Sequence, residues 1–214
     1  MTMEAPAVPT TADAAPKELP RLLLHCCCAP CASYVLEALR PSFDLTCYFH
    51  NPNIDPSDEY ERRLAEMQRL AACLAIPLVI PRYDRAPWRQ AVRGHESQPE
   101  GGSRCLICYR FRLEATARYA AENGIPWFTS TLSVSPHKNA RAINPIGQEI
   151  AGSLGLRFYS ADFKKKDGFK TSLQISRQFG FYRQTYCGCC FSRPANSAAS
   201  ARTSLSAPAG RDEP

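Results

Sequence analysis

Short apolar runs divide the middle of this chain into predicted strands. The first three occupy residues 22–25, 43–49 and 78–80, and each is followed by polar or turn-forming residues. Two more occupy residues 125–132 and 157–160. Their length and their aromatic and β-branched content are typical of strands in a buried sheet. The pattern therefore predicts five strands.

Helical spacing of apolar residues fills the segments between these runs. The predicted helices cover residues 31–40, a stretch from residue 58 onward, a short piece within 84–104, then 105–123, about 140–154 and a stretch that ends near 180. In the second helix, Asp58 and Glu61 have the spacing of a capping box, and Arg62, Arg63 and Arg69 lie off the apolar stripe.

Strands that alternate with helices predict a parallel sheet. The fold class is therefore α/β, a Rossmann-like three-layer sandwich with a mainly parallel sheet. In such folds the functional site lies beyond the carboxyl ends of the strands, near a switch in strand order. Residues 25–31, 50–53, 130–139 and 162–168 all follow predicted strands. We expect these four loops to meet at that one edge.

The two ends of the chain differ in composition from its middle. Residues 1–19 and 194–214 are rich in Ala, Pro, Ser and Thr without periodicity, which predicts disordered ends around a single domain at 20–193. No basic segment followed by an apolar one precedes the domain, and no apolar run reaches the ~20 residues that span a bilayer. We therefore expect a cytoplasmic protein with no membrane partner.

Cysteine usage is the strongest chemical signal. Nine of the eleven cysteines lie in three tight clusters, at residues 26–31, 105–108 and 187–190. A secreted disulfide scaffold would spread its cysteines through loops, whereas clustered cysteines in a reducing compartment indicate metal binding or thiol redox chemistry. The three clusters are far apart in sequence, so the fold must bring them together.

The first two clusters together could supply four thiolates. Cys105 and Cys108 have a spacing used in many metal sites, and they begin a predicted helix whose positive end favours thiolates. With two cysteines of the first loop they would suit zinc or an iron–sulfur cluster. The first loop lacks the knuckle spacing of a structural zinc site, which favours a cluster in an active site.

The third cluster allows two interpretations. Cys187 and Cys189 could close a small, strained disulfide of the labile, catalytic type. They could instead ligate a second metal. Cys190 adds a further thiol beside them.

A basic segment near the predicted edge suggests a polyanionic partner. The net charge of +6 fits either an RNA partner or a mildly basic soluble protein. The aromatic residues Phe163, Phe169, Phe181 and Tyr182 interleave with the basic ones, which favours nucleic acid because aromatic rings stack on unpaired bases. The basic residues of this segment are Lys164, Lys165, Lys166, Lys170, Arg177 and Arg183.

Motifs spread over the whole predicted domain resemble those of the QueH-type epoxyqueuosine reductases. The matching stretches are LLLHCCCAPC, HNPNIDPSDEYERR, RCLICYRFRLEATA, TSTLSVSPHKN, FKKKDGFKTS and YRQTYCGCC. The resemblance implies an adenine-nucleotide α-hydrolase-like fold. It also implies a two-electron reduction of epoxyqueuosine to queuosine at the wobble position of tRNA, with a 4Fe–4S cluster, no cobalamin, and an electron donor that the sequence does not identify.

The resemblance also assigns roles to individual cysteines. It implies that the cluster ligands are Cys27, Cys28, Cys105 and Cys108. It implies that Cys187 and Cys189 form a redox-active disulfide pair. Cys31 stays open, because some relatives carry another residue there, as would suit an additional iron ion. Cys26 and Cys190 receive no role.

Two points are left to the structure. His137, Asp162 or Tyr186 could protonate the departing epoxide oxygen, and Lys164, Lys165, Lys166, Lys170 and Arg183 could hold the anticodon-arm phosphates. The competing functions are a zinc- or cluster-dependent tRNA thiolation or deamination enzyme and a non-catalytic cysteine-rich metal-binding protein.

Overall fold

A computed structural model describes residues 18–193, so the predictions for residues 1–17 and 194–214 lie outside the described part of the chain. Five strands and six α-helices alternate along this part. The strands are β1 (Arg21–His25), β2 (Asp44–Tyr48), β3 (Leu78–Val79), β4 (Trp127–Ser130) and β5 (Arg157–Phe158). The helices are α1 (Ala29–Leu39), α2 (Ser57–Leu74), α3 (Ala86–Ala91), α4 (Ser103–Glu122), α5 (Ala140–Ser153) and α6 (Gly168–Gln178).

The five strands form one parallel sheet in the order β3-β2-β1-β4-β5. This confirms the predicted α/β fold with helices on both faces. Alternation along β1 explains the layers: Leu22 and Leu24 pack into the cluster that contains Val35 of α1, whereas Leu23 packs into the opposite cluster with Leu113 of α4. All three β1 leucines are fully buried, as expected for the central strand of a covered parallel sheet.

Three local predictions are wrong. The predicted fourth strand stops at Ser130, and Thr131–Val134 form a 3₁₀ helix because the Ser130 side chain caps it by accepting a hydrogen bond from the backbone N–H of Leu132. The capping box at Asp58 is absent: α2 begins at Ser57 behind Pro56, without a side-chain cap. Arg63 does not lie off the apolar stripe of α2: it is buried on the same face as Tyr60 and Met67.

The end of α4 and the start of α6 each depend on a glycine. Gly124 follows α4 with a φ of 62°, the left-handed conformation expected just after a helix. At Gly168 the reason is space: a Cβ there would lie 1.9 Å from the Phe163 carbonyl oxygen and 2.5 Å from the Tyr34 ring. This close approach packs α6 against α1.

Candidate thiol and metal site

The switch in strand order lies between β1 and β4, because the chain moves from β1 outward to β3 and then returns to β4 on the other side. At this point the carboxyl ends of both strands are joined: His25 Nδ1 lies 2.8 Å from Ser130 Oγ, and both side chains are buried. The Cys27 backbone N–H donates to Thr131 Oγ1 at 3.1 Å. The first cysteine loop is therefore held at the position where parallel α/β folds build sites.

Three thiols of that loop converge. The sulfur atoms of Cys27, Cys28 and Cys31 all lie within 4.8 Å of one another. Cys26 is separated from them: it is fully buried among core side chains and its thiol donates to the Leu24 carbonyl at 3.3 Å. Turning of the chain into α1, whose first turn contains Pro30, allows Cys31 to return to the same side as Cys27.

These three thiols differ in acidity. Hydrogen bonds from Cys28 and Cys31 lower the pKa of Cys27 well below that of an ordinary thiol, with Arg112 and Lys138 adding to the effect. The hydrogen bond to Cys27 raises the pKa of Cys28 to about 12 and also raises that of Cys31. Cys27 is therefore the thiolate of the group, and the other two thiols donate to it.

The other two cysteine clusters meet each other beside this group. Cys108 and Cys189 belong to one buried apolar cluster that also contains Trp88. Cys105 and Cys108 both interact electrostatically with Cys187, and burial raises the pKa of both. Cys105 also belongs to the apolar cluster against which Cys27 packs. The fold thus brings the predicted ligands and the predicted dithiol into one neighbourhood.

Cys187 and Cys189 are free thiols joined by a hydrogen bond. That bond, followed by the charges of Lys138 and Arg112, lowers the pKa of Cys187 against the opposing effect of burial. The same bond and burial raise the pKa of Cys189. The pair therefore consists of a nucleophilic thiolate and a neutral thiol, as needed for reversible disulfide formation.

A buried arginine connects the strand ends to these thiols. Arg112 of α4 is 2% exposed, donates to His25 Nε2 at 3.3 Å and also bonds to Asn51 Oδ1. Asn51 in turn donates to the Cys26 carbonyl at 2.9 Å. Burial, followed by the charge of Arg112, lowers the pKa of His25, so this histidine is neutral. Arg112 has no carboxylate partner within residues 18–193, and its charge faces the thiols instead.

Lys138 is the second cation at the site. Although burial lowers its pKa, the thiolates of Cys187 and Cys27 raise it, so Lys138 stays charged. The positive charge of Lys138 in turn lowers the pKa of Cys27 and of Cys187. Arg112 and Lys138 therefore both stabilise the thiolates of Cys27 and Cys187, which are far apart in the sequence.

A third cation, Arg63, holds the C-terminal cysteine segment in place. Arg63 donates to Glu59 Oε1 at 2.7 Å, to the Cys187 carbonyl at 3.0 Å and to the Tyr186 carbonyl at 3.3 Å. Gly188 has a φ of 113°, and a Cβ there would lie 2.9 Å from Arg63 Nη1, so glycine is needed between the two cysteines.

Some of these groups line one cavity of about 260 Å³, but Cys28, Cys105, Cys108 and Cys189 are not among its lining residues. Cys27, Cys31 and Cys187 line it, together with the predicted residues His137 and Arg183. Asp162 does not line this cavity; it pairs with Lys164 at 2.8 Å and lines a neighbouring one with Lys165. The remaining predicted RNA contacts, Lys166 and Lys170, are exposed.

Sequence reasoning missed Arg112, Arg63 and the asparagines Asn51 and Asn53. A signal existed for Arg112, which follows Cys108 by one helical turn and therefore shares its face of α4. The asparagines lie in a turn-rich segment after β2 and offered only their position at a strand end.

Within residues 18–193, none of the helices combines the length and apolarity needed to cross a bilayer.

Comparison with known proteins identifies the family of this chain. The sequence model of the family described as "Epoxyqueuosine reductase QueH" matches residues 22–195. Relatives with that name occur in Streptococcus pyogenes, 39% identical over 80% of this chain and 70% of the relative, and in Histophilus somni, 42% identical over 80% and 72%. The relative of that name in Thermotoga maritima is 35% identical over 80% of this chain and 89% of its own. The chain therefore belongs to the epoxyqueuosine reductase QueH family.

Proposed function

We propose that this protein reduces epoxyqueuosine to queuosine at the wobble position of tRNA in the cytoplasm. The observation that carries the proposal is that one cavity lined with cations is reached both by the three-thiol group, through Cys27 and Cys31, and by the thiol–thiolate pair, through Cys187. The reaction consumes two electrons and two protons, removes the epoxide oxygen as water and leaves a carbon–carbon double bond.

Cys27, Cys28, Cys105 and Cys108 are the proposed ligands of a 4Fe–4S cluster, and Cys31 the proposed ligand of an additional iron ion. The sulfur atoms of Cys27, Cys28 and Cys31 lie within 4.8 Å of one another, which suits metal binding, whereas Cys105 and Cys108 are not part of that three-sulfur group and would have to approach it to complete the proposed ligand set. Arg112 and Lys138 offset the negative charge of thiolate ligands. Such a cluster, when bound, supplies electrons one at a time.

Cys187 and Cys189 are the proposed two-electron store. Joining the Cys187 thiolate and the Cys189 thiol in a disulfide releases two electrons and one proton, so the two electrons match the number that epoxide reduction consumes and the second proton comes from the proposed acid. Gly188 permits the short loop that brings the two thiols into hydrogen-bond contact. An external electron donor would then reduce the disulfide again.

The proposed acid is His137, which lines the cavity and is exposed at its mouth. Tyr186 also lines the cavity, but its hydroxyl donates to the Asp55 carbonyl at 2.9 Å. Asp162, the third acid considered from the sequence, is engaged by Lys164, so its role here is to orient that lysine beside the cavity. His137 alone combines a place in the cavity with access to solvent protons.

The tRNA would be held by the exposed basic residues around the cavity mouth. Arg183 lines the cavity itself, and Lys165 lines the neighbouring one. Lys164 is committed to Asp162 and to two backbone carbonyls, so it supports the loop more than it contacts phosphate. Lys166 and Lys170 extend the positive surface. Phosphate contacts of this kind make binding weaker as salt rises.

The test is anaerobic purification followed by turnover. We expect a brown protein with about four or more irons per chain, which converts epoxyqueuosine in tRNA to queuosine when a strong reductant is supplied. Cys187→Ser should retain the iron and lose multiple turnover. A colourless protein with one tightly bound zinc, or full turnover by the Cys187→Ser protein, would contradict the proposal.

A further inference from the structure

Two buried amide oxygens in the cavity have no protein partner. Within residues 18–193, Asn53 Oδ1 and Gln184 Oε1 are fully shielded from solvent and accept no hydrogen bond from a protein donor. Both residues line the cavity beside Cys27 and Cys187. Buried acceptors are nearly always paired, so two unpaired acceptors on one cavity point to a ligand that supplies the donors.

The orientation of Gln184 follows from its other contact. Its Nε2 lies 3.1 Å from Cys28 Sγ, and an amide N–H that donates to sulfur directs the carbonyl oxygen of the same amide away from it. Gln184 therefore holds a thiol of the first loop through its N–H group, while its carbonyl oxygen points away from that thiol and has no partner.

Asn53 is held by the loop around it. The Ile54 N–H donates to the Asn51 carbonyl at 3.2 Å, and the Asp55 N–H donates to the Gly188 carbonyl at 2.7 Å. The second of these bonds ties the loop directly to the C-terminal cysteine segment. Asn53 is 1% exposed, so its amide is buried in a segment anchored at both ends.

The rest of the cavity wall is rich in donors. Arg63, Arg112, Lys138 and Arg183 all line it, and they suit the phosphate groups and the epoxide oxygen of the proposed substrate. Hydroxyl groups of a substrate need acceptors, which these cations cannot provide. The acceptors on this wall include the exposed Glu100 carboxylate and the two buried amide oxygens of Asn53 and Gln184, which have no protein partner.

We propose that Asn53 Oδ1 and Gln184 Oε1 accept hydrogen bonds from the hydroxyl groups on the cyclopentane ring of epoxyqueuosine. The two residues then distinguish a tRNA with the modified side chain from one with an ordinary guanosine at the same position. This inference rests on the proposed function, since it names the part of that substrate that the cavity recognises.

The experiment compares the binding of two anticodon stem-loops to the metal-loaded protein, one with epoxyqueuosine and one with guanosine at the wobble position. Asn53→Leu keeps the volume and removes the acceptor, so it should weaken binding of the epoxyqueuosine stem-loop about tenfold and leave the guanosine stem-loop unchanged. Gln184→Leu should behave in the same way.

Asn53→Asp retains an acceptor oxygen and should keep the preference for the epoxyqueuosine stem-loop. Asn123→Leu, at an exposed asparagine beyond the end of α4, is the control and should change neither affinity. Iron content and melting temperature of each variant are measured alongside, so that a folding or metal-loading defect is recognised.

Three results would overturn the inference. Equal weakening of both stem-loops would mean that Asn53 contacts a part they share, and unchanged affinities would mean that it contacts neither. A fall in iron content with an unchanged preference would make Asn53 a support for the metal. If the wild-type protein itself shows no preference for the epoxyqueuosine stem-loop, the proposed function fails, and not only this assignment.

Discussion

Replacement of Arg63 by methionine should release the C-terminal cysteine segment from the rest of the domain. The Arg63 side chain is 3% exposed and makes an ion pair of 2.7 Å with Glu59, whose side chain is 8% exposed. It also donates to the Cys187 and Tyr186 carbonyls. Methionine keeps most of the apolar volume but none of these bonds.

The cost can be worked from those contacts. Removal of one member of a buried ion pair typically costs about 3–5 kcal/mol, because the remaining charge stays buried without its partner. Tyr182 still donates to Glu59 Oε2 at 2.9 Å, which offsets a part of that cost. We therefore take about 3 kcal/mol as the loss. Arg63 also donates to the carbonyls of Tyr186 and Cys187, which belong to the C-terminal cysteine segment. We therefore expect this loss of free energy to weaken the attachment of that segment to the domain.

The assay is cysteine alkylation under native conditions, read by peptide mass spectrometry on metal-free, reduced protein. Cys189 is 5% exposed and reacts only when the segment opens. A loss of about 3 kcal/mol in the free energy of opening raises its labelling rate about 100-fold. Cys73 is exposed and serves as the internal reference, and Cys47 is buried in the core and reports global unfolding.

Arg62→Met is the matched control. Arg62 is the neighbouring residue on α2 and its guanidinium lies 4.8 Å from the centre of the Tyr182 ring, but it is exposed. Its loss should change Cys189 labelling less than about threefold, in line with the small energies of exposed cationic contacts. If Arg63→Met left the ratio of Cys189 to Cys73 labelling unchanged, the role assigned to Arg63 would be refuted.

Two further predictions concern packing and thiol acidity. Gly168→Ala should lose about 1–3 kcal/mol and melt several degrees lower because its Cβ would meet the Phe163 carbonyl, whereas Gly152→Ala, with open space at its Cβ, should melt at the same temperature or higher; calorimetry decides. In metal-free protein, Cys187 should be alkylated at full rate below the ordinary thiol pKa, and its rate should fall only as the pH falls through the lowered value. Lys138→Met should move that fall to higher pH, and an unmoved profile would contradict the role of the lysine.

The sheet could be predicted from sequence because its signals are local. Residues 22–24 form a run of leucines that is typical of a buried central strand. The apolar residues of α1 and α4 recur at helical spacing, so each helix can be recognised from its own sequence. The convergence of loops at one edge then follows from parallel topology alone. The end of the fourth strand did not follow, because the Ser130 cap competes with strand pairing over only two residues.

The arginines at the site could not be predicted in the same way. Helical spacing places Arg63 on the face of Tyr60 and Met67, but local pattern does not show which groups would satisfy a guanidinium buried there. What buries Arg63 is a pair of backbone carbonyls at residues 186 and 187, more than a hundred positions away. The sequence shows that three cysteine clusters exist, but which cations accompany them depends on contacts that form only in the folded chain.

The charges at the site and the stability of the fold are therefore linked. Burial of Arg112 without a carboxylate partner in the described part of the chain is unfavourable unless an anion lies nearby. The thiolates of Cys27 and Cys187 meet that need, and the arginine in turn lowers the pKa of both, after the larger effect of their thiol hydrogen bonds. By linkage, this contribution is fully present above the ordinary thiol pKa and is lost as the pH falls through the lowered values. The thiolates of Cys27 and Cys187 thus offset the cost of burying Arg112, and Arg112 keeps both thiols ionised. Replacement of the arginine should therefore change the acidity of the thiols, and replacement of the thiols should destabilise the buried arginine.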